Sequence, residues 1–210
     1  MEVSHHHWVG SAFDHRSGEK IAVLGYSHYL GGGRDHDAMT TDLLKSIVNN
    51  DHANHSENRN TPFFKKIATV FGKDNGTFWN DVVFLNLIPN AIGGREEMYD
   101  WADHDSAVAG STRLFEVLAK HNISKLFVFS AKAWESLPAP VLLRDVPLGS
   151  GSRYGFNAFV QAPTTVAFHL RHPQFAPPVE LEKLGQAVQL AMERPAADFL
   201  AEIDPTKAMP

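Results

Sequence analysis

Three apolar runs in this chain each end in a cluster of side chains able to carry chemistry. Ile21 to Leu24 leads into Gly25, Tyr26, Ser27, His28 and Tyr29. Val82 to Leu85 leads into Asn86, Leu87, Ile88, Pro89 and Asn90, and Val166 to Phe168 into His169, Leu170, Arg171, His172 and Pro173. An imidazole ordinarily titrates at about 6.5, so His28 and His172 are candidates to take up or hand over a proton. Asn86 carries a donor and an acceptor on one carboxamide, and the Ser27 hydroxyl can position water. Each residue also has a plainer reading: His28 bonding its own loop, Asn86 capping a strand end, His172 lying on the surface.

The elements that must position these groups read as alternating strands and helices. Lys20 to Tyr26, Asp81 to Ile88, Lys125 to Phe129 and Thr164 to Leu170 are short apolar runs closed by polar turns, the pattern of buried strands. Helical spacing is present over Asp37 to Val48, Thr61 to Phe71, Ser106 to His121, Ala131 to Leu137 and Pro177 to Arg194. Phe78-Trp79 reads as an aromatic turn, residues 50 to 60 as a polar loop, and 138 to 163 as a peripheral hairpin with Tyr154 to Val160 as one arm. This order predicts an α/β three-layer sandwich around a central four-stranded, mainly parallel sheet. In such sheets the loops leaving the carboxyl ends of neighbouring strands share one crevice. The three polar clusters are therefore expected to meet.

Bulk properties narrow the class. At 210 residues and 43% hydrophobic content, one domain over residues 1–194 is expected, with 1–19 as an N-terminal strap and 195–210 as a weakly structured tail whose Phe199 and Leu200 could dock on the body. No apolar run of about 18 residues exists, and no basic segment followed by an apolar stretch opens the chain, so a soluble cytoplasmic protein with no membrane partner is expected. Cysteine is absent, which excludes disulfides and thiolate-held metals or clusters. The formal charge of −5 argues against a basic surface covering the whole protein, leaving a local patch drawn from Arg95, Arg113, Lys132, Arg153 and Arg171. His5-His6-His7 reads as a solvated segment, since nothing downstream has ligand-like spacing from it.

Taken together, the motifs resemble the uracil-DNA glycosylase superfamily over about residues 20 to 194. Ile21 to Tyr29 resembles the first motif, a strand ending in Gly with polar positions and an aromatic residue. Val82 to Asn86 resembles the strand whose terminal Asn reads the base, and Leu126 to Trp134 the strand-to-helix passage that follows. His172-Pro173-Gln174 resembles the second motif, usually His-Pro-Ser.

That resemblance implies a metal- and cofactor-independent DNA base-excision glycosylase, acting as a monomer on single- or double-stranded DNA that carries a deaminated base such as uracil. Breaking the glycosidic bond places positive charge on the sugar and negative charge on the base. His172 would donate to the leaving base, Ser27 would hold water and His28 would assist as base. Asn86 would read the base edge, with Gly25, Tyr26 and Tyr29 lining the substrate site. Gly32, Gly33, Arg34, Arg171, Pro173 and Gln174 would contact nucleic acid. The base-stacking aromatic is open among Phe63, Phe64 and Phe78. Where the most active members carry Asp, this chain carries Ser27, and a hydroxyl has no charge to offer. The alternative is a catalytically weak or inactive module of the same fold that binds nucleic acid or a nucleobase. A nucleotide-binding enzyme of ordinary doubly wound type is less supported, because no phosphate-loop or dinucleotide fingerprint is present.

Overall fold

The structure, a computed structural model, describes residues 4–15, 17–28, 34–50, 61–92, 102–140, 144–147, 153–174 and 176–203. The side chains of residues 61, 144–147, 153 and 154 are not among what it describes. Tyr29, Gly32, Gly33, Arg95, the polar loop expected over 50–60 apart from residue 50, and the Arg153 side chain therefore lie outside the described part.

The four apolar runs form β2 (Ile21–Gly25), β3 (Val83–Asn86), β4 (Lys125–Val128) and β7 (Ala162–His169). They lie side by side in the order β3-β2-β4-β7, all parallel, with Gly25 opposite Asn86 and Val128 opposite His169. Their carboxyl ends, and so the three polar clusters, share one edge of the sheet.

The sheet is wider than the four strands expected, because both its edges are extended by antiparallel strands. β1 (Trp8–Val9) pairs with β3, and β5 (Arg144–Pro147) joins through β6 (Arg153–Phe159) to β7, giving seven described strands in one sheet. The hairpin expected to be peripheral is thus part of the sheet. Adding strands satisfies edge N–H and C=O groups that β3 and β7 would otherwise leave open.

Alternation along the strands feeds two cores. Ile21, Val23, Phe84, Phe127 and Phe168 face one side, where they meet α1 (Met39–Val48), α2 (Thr61–Val70), α3 (Asn75–Asn80), α6 (Pro178–Glu193) and α7 (Ala196–Glu202). Ala22, Leu24, Leu85, Leu126 and Ala167 face the other, against α4 (His104–Lys120) and α5 (Ala131–Glu135). Helices on both faces make the three-layer arrangement.

Two helices depart from the sequence expectation. The aromatic turn at Phe78-Trp79 is α3, started by Asp74, whose carboxylate accepts from the Thr77 N–H at 2.9 Å. The tail expected from residue 195 begins with α7, and Phe199 is fully buried against Phe156 and Phe168 at ring distances of 5.0 and 5.1 Å. Burying one such ring contributes about 1.5–3 kcal/mol, enough to hold a short helix on the sheet.

At the amino edge, opposite the polar clusters, Lys125 is fully buried. Its ammonium pairs with Glu19 and donates to the Arg194 carbonyl at 2.6 Å, while Glu19 also accepts from the Ala196 N–H at 2.5 Å. One ion pair therefore fastens the junction of α6 and α7 to the start of β4. None of the described helices is long and apolar enough to cross a membrane.

Candidate functional site

Beyond the sheet, the segments leaving β2 and β3 stay zipped together. Leu87 N–H donates to Gly25 at 3.0 Å, Ile88 to Tyr26 at 2.8 Å and Ile92 to His28 at 3.0 Å. Tyr26, Ser27 and His28 are thereby fixed beside Asn86, although about 60 residues separate them in the chain.

Asn86 is 5% exposed and ends β3. Its carbonyl accepts from Arg113 Nη1 at 3.1 Å, and its Oδ1 occupies the space that a Cβ on Gly25 would take, 2.3 Å away. Its Nδ2 has no hydrogen-bond partner among the described residues. A buried amide donor without a partner costs about 1–3 kcal/mol, which makes this atom a candidate to meet an acceptor supplied by a ligand or by water.

His28 is 3% exposed, and its Nε2 lies 2.8 Å from the Thr40 hydroxyl of α1. Burial, with a smaller push from His5 and an opposing pull from Asp35, lowers its pKa to about 3. The ordinary imidazole pKa expected from the sequence does not hold, and the ring is a neutral partner of Thr40 and a weak base. Ser27 donates to the His28 carbonyl at 3.2 Å, closing a local turn. Tyr26 accepts the Ala102 N–H on its phenol oxygen at 2.7 Å, with the Lys132 ammonium 5.6 Å from the ring centre.

His172 lies on the same face of the sheet as Asn86, because α2 holds its loop there. Its ring stacks on Phe63 at 4.7 Å and 29°, and Phe63 in turn touches Phe84 of β3 at 6.5 Å. Lys66, one turn further along α2, donates to the carbonyls of Gln174 at 2.7 Å and Ala176 at 3.3 Å. The protein packed around the imidazole lowers its pKa to about 4 even though the residue reaches solvent, and Nδ1 accepts from the Gln174 N–H at 3.3 Å. A neutral ring bonded in this way carries its proton on Nε2.

Other expected contacts fall differently. Pro173 is buried, Arg34 is exposed, and Arg171 is exposed with its guanidinium 3.7 Å from Glu180. His169 points to the opposite face and stacks on Trp134 at 4.8 Å and 9°. Arg113, expected in a basic patch, is instead committed to backbone carbonyls. Of the three aromatic candidates, Phe64 and Phe78 are core, while Phe63 sits under His172.

The sequence reading missed the polar group beside Asn86. The segment around His5 is not solvated: His5 is 2% exposed, its carbonyl accepts from Arg113 Nη2 at 2.6 Å, and its Nε2 lies 2.5 Å from Asp35 Oδ1. Burial alone would raise the Asp35 carboxyl, but hydrogen bonds from Ala91 N–H and the His5 ring outweigh it and hold the group below the usual carboxylate range. The His5 and His28 rings meet edge to face at 5.2 Å. His7 is likewise not free, with its Nε2 3.1 Å from that of His121. Among the described residues no group of three or more His, Asp or Glu side chains is arranged to hold a metal ion.

No family model matches the chain, and no curated protein matches it. Among the described residues, two grooves are lined by none of Asn86, His28 and His172. One, of about 1040 Å³, runs between α4 and α5, and another, of about 730 Å³, between α2 and α6.

Proposed function

We propose that the chain is a DNA base-excision glycosylase that hydrolyses the bond between deoxyribose and a deaminated base, uracil being the first candidate. The observation that carries this reading is the buried Asn86 carboxamide with its Nδ2 unpartnered, since an amide with donor and acceptor matches the edge of a pyrimidine. Neutral His172 supports it, because with Nδ1 accepting from Gln174 its Nε2–H is the donor that would face the negative charge building on the departing base. Phe63 sets the plane of that imidazole. Gly25 leaves room beside the carboxamide, and Tyr26, fixed by Ala102, lines the adjoining loop. Arg34, Arg171 and Gln174 would lie along the nucleic acid backbone.

A second reading, a binding module for nucleic acid or a nucleobase, is favoured by one observation. The Ser27 hydroxyl is turned onto the His28 carbonyl, and His28 is too weak a base to replace a carboxylate.

Incubation with single- and double-stranded oligonucleotides carrying uracil, hypoxanthine or xanthine, followed by alkali, separates the two. Strand cleavage that is abolished by Asn86→Ala and His172→Ala supports the enzyme. Salt-sensitive binding with no base released from any substrate supports the module.

A further inference from the structure

His5 is placed like a working imidazole. Its backbone N–H bonds to the Pro89 carbonyl, and one Arg113 guanidinium bridges its carbonyl to that of Asn86. Asp35 takes the Nε2 side of the ring with one oxygen and the Ala91 N–H with the other at 2.9 Å. An ionised carboxylate on Nε2 keeps the ring proton there and leaves the Nδ1 lone pair open, as in other carboxylate–histidine pairs.

Nδ1 is buried and has no hydrogen-bond partner among the described residues. A buried acceptor calls for a donor, and a single water is the smallest molecule that would serve. The charged and titratable neighbours are Asp35, the His28 ring at 5.2 Å, Arg113 at the carbonyl, and Asp37, which accepts from Ser4 N–H at 2.9 Å.

We propose that His5, oriented by Asp35, is the proton acceptor for the hydrolytic water of this site, filling the place left by Ser27. This rests on the glycosylase reading. The water oxygen bonds to C1′ of the deoxyribose as the C1′–N bond breaks, and the electron pair of that bond leaves with the base. The water proton passes to His5 Nδ1, forming an imidazolium against the Asp35 carboxylate. That proton then returns to solvent, and the base anion takes one up. Asp35 touches no reacting atom and is a positioning residue.

The test is single-turnover base release from a uracil-containing single-stranded oligonucleotide, alongside the Kd for the same oligonucleotide and ¹⁵N NMR of the His5 ring. His5→Gln is expected to slow release about 100-fold or more with Kd unchanged. Asp35→Asn should slow it at least about tenfold with Kd unchanged, since it loosens the ring without removing it. The wild-type spectrum should place the ring proton on Nε2. Wild-type rates in His5→Gln, with Asn86→Ala inactive, would overturn this inference and leave the glycosylase reading standing. No release by the wild-type protein overturns both. Should His5→Gln fail to fold, a ring proton found on Nδ1 in the native protein is sufficient to reject the role.

Discussion

Gly25 and Asn86 stand opposite each other in the parallel register of β2 and β3, and the Asn86 carboxamide oxygen fills the space that any larger residue at position 25 would need. The two positions are one steric unit. A side chain at one dictates what the other can present.

Gly25→Ala tests that unit. Its new Cβ would lie 2.3 Å from Asn86 Oδ1, so the carboxamide must turn away. The expected cost is about 1–3 kcal/mol of stability, read by urea denaturation, together with loss of the base release proposed for this site. Unchanged release in Gly25→Ala would separate Asn86 from the chemistry.

Lys125→Ala removes one partner of a buried pair and strands the Glu19 carboxylate and the Arg194 carbonyl. The expected loss is about 3–5 kcal/mol, measured as a shift of the urea midpoint at constant m-value. Base release per folded molecule should stay as in the wild type, because Lys125 lies at the opposite edge of the sheet.

Stability should fall with acidity earlier than carboxylates alone would cause. His28 binds a proton near pH 6.5 when unfolded but only at about 3 when folded, and His7 near 4. Between these values the unfolded chain holds more protons, so the contribution is fully present above pH 6.5 and is lost as pH drops toward 3. For His28 the slope is about 1.4 kcal/mol per pH unit. Urea titrations between pH 7 and 4 check it, and His28→Gln should flatten the profile.

Phe63→Leu removes the surface on which the His172 ring lies. With less protein around it, the imidazole should titrate closer to 6.5 than to about 4, as followed by NMR. A titration that stays put would mean that Phe63 does not set this environment.

The parallel centre of the fold is legible in the sequence because β2, β3, β4 and the second half of β7 carry short apolar runs, the pattern of strands covered on both faces. The sharing of one edge by Asn86 and His172 follows from that parallelism. Other parts carry no such signal. β1 is two residues long, and α3 is a single capped turn and a half hidden by two aromatics. Asp35 and His5 are 30 residues apart and meet only because the opening segment crosses the strand ends, so no spacing rule reaches them. His28 was visible as an imidazole, but its depressed pKa depends on burial beside Thr40 and His5, which composition does not encode.

The opening segment also has a kinetic consequence. The contact between His5 and Arg113 closes a loop of 108 residues, and Trp8 reaches Trp79 across 71. Such long-range closures are entropically costly and slow. During synthesis His5 has no Arg113 to meet until α4 has been made, so the arrangement around Asn86 cannot assemble before that helix.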